Sequence, residues 1–212
     1  MDARGFLRGA RNTRRGFVRG VLAGGAATLV FSGRSAEAAA PNPLDGAVGD
    51  PAILARLAQI EQLVVFSYRH LIGAVSLSAV GGSTLRRFLA QERVHLQVLS
   101  TQLSRHSASL PAAPTSVGAA DRALVRLGVP GSLERVRLEG QALGLLIDIE
   151  TVEEEAFHAA VGKLSDLGLV KLAAQSGTCD SQHWTVLSAL RHGGDATQAV
   201  PHAFAPLATE LG

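Results

Sequence analysis

Two short stretches of this chain place a carboxylate three residues before a histidine: "QERVHL", with Glu92 and His95, and "CDSQHW", with Asp180 and His183. On a helix that spacing puts both side chains on one face, about a turn apart, where they can reach the same ion. Two single glutamates, Glu61 in "IEQLVV" and Glu150 in "IETVEE", are embedded in apolar sequence. A buried carboxylate must be paired or must take up a proton, so acids and imidazoles on core-facing stripes need compensation. Two divalent cations would provide it, with each carboxylate–histidine pair fixing one ion and the single glutamates bridging or capping. Asp180 keeps the charge of Glu92 but reaches about 1.5 Å less far, one carbon–carbon step.

Four helices are required to position these groups. Asp50 followed by Pro51 is read as an N-cap and first helical residue, after which Leu54, Leu57, Glu61, Val64, Tyr68 and Leu71 recur at steps of three and four. "VGGS" is read as the break before a second helix capped by Ser83, carrying Leu85, Phe88, Glu92, His95 and Leu99. A long connection follows through "SASLPAAPTSVG", with a short helix near "ADRALVRLG". Ser132 is the expected cap of a third long helix bearing Leu143, Leu146, Glu150, Glu153, Phe157 and Ala160, ending around Gly168. The last helix carries Ala173, Ser176, Asp180, His183, Leu187 and Leu190 and stops near "RHGG".

The second pair of helices repeats the first. "IEQLVVFSYRHLIG" laid over "IETVEEEAFHAAVG" pairs Glu61 with Glu150, Tyr68 with Phe157 and Gly73 with Gly162. At nearly the same offset Glu92 falls on Asp180 and His95 on His183. Glu153 has no charged counterpart, since Val64 occupies that place. It can add a carboxylate to the Asp180 side; the plainer reading pairs it with an arginine or puts it at the edge of the acidic run "EEE".

One Glu from each of two helices and a carboxylate-x-x-His from each of the others resembles the ferritin-like di-iron and di-manganese carboxylate bundles. The resemblance covers roughly residues 50–192. It implies an all-α fold, an antiparallel four-helix bundle with a long crossover between the second and third long helices. It also implies metal ligands Glu61, Glu92, His95 and Glu150 by direct match, and Asp180 and His183 with one substitution. Tyr68, two turns after Glu61, stands where ferritin-like proteins often carry a tyrosine that donates a hydrogen bond or an electron. Iron or manganese, with dioxygen or peroxide, are the cofactors and partners implied. Ferroxidase, peroxidase or manganese-catalase-like chemistry would follow. A rival reading is a metal-poor structural or stress-associated module, of the desiccation-related type, that works through a partner. The resemblance is also compatible with a homo-oligomer.

The N-terminal forty residues stand apart. "NTRRGFVRG" resembles the twin-arginine motif of bacterial export signals, and "VLAGGAATLVF" is too short to span a bilayer, which takes about 20 apolar residues. "AEAAA" offers cleavage near Ala38 or Ala40. Residues 1–40 therefore read as a leader recognised by the twin-arginine machinery, which carries folded proteins to the periplasm or cell exterior. An uncleaved leader that tethers the bundle is the alternative.

A linker is expected over 41–49, the bundle over 50–192 and an extended tail over 193–212. The chain carries +2 and residues 1–40 carry +5, which leaves −3 for the remainder and removes the charge argument for nucleic acid. Cys179 is the only cysteine, so no internal disulfide framework exists. Its position next to Asp180 suggests a small core or interface residue. His70, His106, His158, His192 and His202 lack a carboxylate at matching spacing on an inner face and read as surface or packing residues.

Overall fold

The computed structural model describes residues 42–195 together with Ala199. The chain divides into two units, 1–38 and 39–212. The first, with the twin-arginine stretch, lies outside the described residues, as does nearly all of the expected C-terminal tail. Five α-helices and no strands are present among the described residues: α1 Asp50–Ala74, α2 Ala79–Arg105, α3 Val117–Arg126, α4 Glu139–Val161 and α5 Leu167–Arg191. A 3-10 turn spans Leu133–Arg135.

Apolar spacing explains the pairing of the long helices. The expected stripes are the buried faces: Leu54, Leu57, Val64 and Leu71 of α1, Leu85 and Leu99 of α2, Leu146 and Phe157 of α4, and Ala173 and Leu187 of α5 all join one core. α1 packs most extensively on α2, α4 on α5, and α1 also on α4. Residues 106–138, with α3 and the 3-10 turn, form the long connection between α2 and α4. Among the described residues, no helix is long and apolar enough to cross a membrane.

The helix boundaries correct several expectations. Gly49, at φ 79°, is the N-cap of α1, and Asp50 lies inside the helix. The Asp50 carboxylate instead accepts the backbone N–H groups of Ser165 (2.8 Å) and Asp166 (3.0 Å), in the turn that opens α5. These backbone hydrogen bonds hold its acid below the usual range. Asp50→Ala should therefore cost about 1–2 kcal/mol, measured as a lower urea midpoint at neutral pH. A carboxylate of lowered pKa stabilises above its unfolded pKa, so the difference from wild type should shrink as pH falls below about 4.

The break between α1 and α2 falls at 75–78, not at "VGGS". Ser78 is the cap: its Oγ accepts from Gly81 N (3.0 Å) and donates to Glu139 Oε1 (2.7 Å) at the start of α4. A Cβ at position 81 would lie 1.9 Å from Glu139 Oε1, so a larger residue there would push that carboxylate aside and disturb its hydrogen bond with Ser78. What reads as a breaker is a close approach in a first helical turn, where glycine is tolerated. Ser132 likewise does not cap α4. Asp121 accepts from Ser132 Oγ and from the N–H groups of Leu133 and Glu134, which closes the 3-10 turn, and α4 starts only at Glu139. Its first turn is closed by Gln141, whose Oε1 accepts from Arg137 N and Leu138 N. Gly168 does not end α4; Asp166 caps α5 through Leu169 N, so Gly168 lies in the first turn of α5.

Candidate metal centre

Each long helix delivers its polar residues to one buried region. Glu61 and Tyr68 come from α1, Glu92 and His95 from α2, Glu150 and Glu153 from α4, and Asp180 and His183 from α5. The five carboxylates and Tyr68 are fully buried and His183 nearly so, while His95 keeps 13 % of its side-chain surface exposed. The helical register that buries the leucines buries these groups with them, because they occupy the same stripes.

Glu92 lies between the two histidines. Its Oε2 is 3.2 Å from His95 Nδ1, and its Oε1 is 2.6 Å from His183 Nδ1. His95 Nδ1 also lies 3.4 Å from Glu61 Oε1 and 3.5 Å from Asp180 Oδ1. His183 Nδ1 lies 3.6 Å from Glu150 Oε2. Close as they are, neither Nδ1 meets the alignment of a hydrogen bond to these oxygens. Both oxygens of Glu61, Glu92, Glu153 and Asp180, and Oε2 of Glu150, are buried without a hydrogen-bond partner. Buried polar atoms are nearly always satisfied, so this concentration in one place calls for an explanation.

Ligand atoms gather into overlapping groups, each with all its atoms within 4.8 Å of one another. One group is Glu61, Glu92 and His95; another is Glu92, Glu150, Asp180 and His183. Cations bind such atoms at about 2.0–2.6 Å, so an ion centred in either group would stand within a few tenths of an ångström of bonding distance to every member. The donor set of carboxylate oxygens and imidazole nitrogens fits a divalent ion. Asp180 retains its reach despite the missing methylene. It belongs to the group around His183 and also approaches His95.

Electrostatics sharpen the picture. Among the described residues, only the two histidines form ion pairs with these carboxylates. Burial lifts Glu61 to about 7, with the Glu92 charge adding to the rise and His95 opposing it. Burial, reinforced by Glu92, likewise lifts Glu150 to about 7. Glu153 and Asp180 are pushed well above the carboxylate range by burial and by the neighbouring acids. Burial also acts against the charged form of Glu92, yet the His183 and His95 rings beside it hold it below its ordinary value. Burial opposes the charge on the histidines too, but Glu61 and Glu92 raise His95 to about 11, and Glu150 and Glu92 raise His183 to about 9. Negative charge thus exceeds what the histidines neutralise, and protons or cations must supply the rest.

Surrounding groups fix the geometry. Tyr68 donates its hydroxyl hydrogen to Glu150 Oε1, which leaves Oε2 facing His183. Burial, followed by the Glu150 charge, raises the Tyr68 phenol well above its ordinary value, so the proton stays on the tyrosine oxygen. Phe157, the counterpart of Tyr68 in the repeat, lacks a hydroxyl and lies edge-on to His95, ring centroids 6.4 Å apart. Phe88 stacks on His183 at 4.0 Å.

Two expectations change. Glu153 has no arginine partner and is not at the edge; it is fully buried beside the other acids, yet it falls in neither of the two groups above. Cys179 is not remote from the site, since its Sγ is 3.5 Å from His183 Nε2. Gln91 was not anticipated at all; its Oε1 lies 3.0 Å from His183 Nε2 and accepts from it when Nδ1 is the free nitrogen. The signal was present, because residue 179 is four before His183 and therefore its helical neighbour. His70, His106, His158 and His192 take no part in these groups. Comparison of the chain with protein-family models, curated proteins and solved structures returned no match.

Proposed function

We propose that the chain is a ferritin-like protein in which α1, α2, α4 and α5 form an antiparallel four-helix bundle around a carboxylate-bridged pair of iron or manganese ions. The observation that carries this reading is Glu92, whose two oxygens face two different imidazoles at 3.2 and 2.6 Å. That is how a carboxylate bridging two ions would stand. Glu61 and His95 would complete one position; Glu150, Asp180 and His183 would complete the other. Four ionised carboxylates balance two divalent cations, which leaves Glu153 as a neutral acid beside them.

An ion pair of this kind supplies redox chemistry toward dioxygen or peroxide. The chain's own residues hold, orient and exclude. Gln91 fixes the tautomer in which His183 presents Nδ1 to the cluster, the outer hydrogen bond that metal-bound histidines ordinarily make. Tyr68 holds a proton on its oxygen and directs it to Glu150 Oε1. Phe88 and Phe157 cover the imidazoles with apolar surface. The twin-arginine stretch supports export in folded form, which suits a protein whose metal is inserted before it leaves the cytoplasm.

Metal analysis of the folded chain tests the reading. About two equivalents of iron or manganese are expected, as two ligand groups imply. Glu92→Gln keeps the shape but removes the bridging charge, and should abolish retention of both ions through dialysis. A metal-free wild type whose stability Glu92→Gln leaves unchanged would overturn the reading in favour of a metal-poor, partner-dependent module.

A further inference from the structure

We propose that Cys179, Asp180 and His95 form a second seat for a thiophilic divalent cation, at the accessible edge of the buried cluster, which competes with the Glu61–Glu92 seat for His95. The three residues offer ligand atoms within 4.8 Å of one another. Cys179 is partly accessible and His95 is 13 % exposed, whereas the remaining ligands are buried. Asp180 supplies the independent observation: it is fully buried, and neither of its oxygens has a hydrogen-bond partner. Helix geometry places Cys179 and Asp180 adjacent on α5, and Asp180 Oδ1 lies 3.5 Å from His95 Nδ1 on α2.

The donor set decides the ligand. One sulfur, one imidazole and one carboxylate suit Zn2+ or Co2+, whereas Mn2+ prefers the oxygen-rich groups deeper in the cluster. Binding releases the thiol proton to solvent and forms a sulfur–metal bond. Because His95 belongs to both ligand groups, an ion held by Cys179 and Asp180 withdraws the ring from Glu61 and Glu92. Zn2+ would therefore displace one Mn2+. The inference rests on the metal-binding reading, since it shares His95 and Asp180 with that site.

Cobalt spectroscopy of the full chain tests it. Co2+ should produce a near-ultraviolet thiolate-to-cobalt charge-transfer band that is absent in Cys179→Ser, while the visible ligand-field bands persist. Zn2+ should release Mn2+, read by electron paramagnetic resonance, at a concentration at least about tenfold lower from wild type than from Cys179→Ser, because Zn2+ also outcompetes Mn2+ at the oxygen-rich groups but more weakly than with a thiolate. Visible bands without the thiolate band, in wild type as in the variant, would overturn the second seat and leave the di-metal reading standing. In that case Cys179 only hydrogen-bonds His183. Failure to bind either Co2+ or Mn2+ would overturn both.

A second readout needs no variant, because the chain has a single cysteine. Zn2+ should slow its alkylation by iodoacetamide at least about tenfold, and a chelator should restore the rate, since metal-bound thiolate is masked as a nucleophile. Absence of protection overturns the proposal.

Discussion

Stripped of ions by a chelator, the chain should be most stable near pH 4.5–5 and should lose roughly 3–5 kcal/mol by pH 7.5, the reverse of ordinary acid denaturation. Glu61 and Glu150 carry most of this. Each rises from 4.5 to about 7 on folding, so the folded state holds protons that the unfolded chain releases. Their contribution is complete below about 4.5 and is lost as pH climbs through 7. Asp180 and Glu153, pushed up by burial, act in the same direction.

The histidines extend the trend. His95 and His183 stand at about 11 and 9 against 6.5 when unfolded. Their stabilisation is full below 6.5 and disappears as pH rises through those values. Within the cluster only Glu92 opposes, as Asp50 does outside it, because a lowered acid stabilises above its unfolded value and loses that contribution as pH falls. That sets the lower edge of the optimum. Urea midpoints at pH 5 and 7.5 in chelator provide the check, and Glu61→Gln should flatten the slope. Added Mn2+ or Fe2+ should restore stability at pH 7.5, because a cation replaces the protons that the carboxylates surrender. Stability that rises from pH 5 to 7.5 in chelator would show that the acids are compensated by something else.

Asp180→Glu should weaken the binding of at least one ion by roughly 10–100-fold, the range seen when the geometry supporting a metal site is disturbed. The longer acid would restore the symmetry of the repeat, and the sequence alone leaves open whether binding tightens or weakens. Packing decides for weakening. Asp180 is fully buried, its Oδ1 already lies 3.5 Å from His95 Nδ1, and its carboxylate is gathered with Glu92, Glu150 and His183. One more methylene would advance the oxygens by about 1.5 Å into that cluster. Overpacking of this kind costs about 1–3 kcal/mol. Asp180→Asn keeps the length and removes the charge, so isothermal titration of the two variants with Mn2+ separates reach from charge. Tighter binding in Asp180→Glu would mean that Asp180 leaves its position underfilled.

Much of the arrangement was legible in the residues. Steps of three and four fixed which face of each helix is buried, and the polar members Glu61, Glu92, Glu150, Asp180 and His183 followed their apolar neighbours inward. The 89-residue spacing of Glu61 and Glu150, matched by the two carboxylate–histidine pairs, tied the halves in register. Less legible were the boundaries. "VGGS" has the composition of a break, but Gly81 stands in the first turn of α2 against the carboxylate of Glu139, 58 residues later. Ser132 has the character of a cap, but Asp121 takes its hydroxyl and its neighbours' N–H groups into a 3-10 turn.

What the sequence determined by itself is therefore the all-helical periodicity and the set of acids and imidazoles that it buries, because one helix's register depends only on its own residues. Tertiary structure alone decided which of those groups meet. It put Glu92 between two histidines, gave Tyr68 to Glu150 of the other half, brought Gln91 to His183 and left Glu153 without a basic partner. Those contacts depend on how four helices are set against one another, and the sum of their packing, rather than any one stripe, fixes the distances.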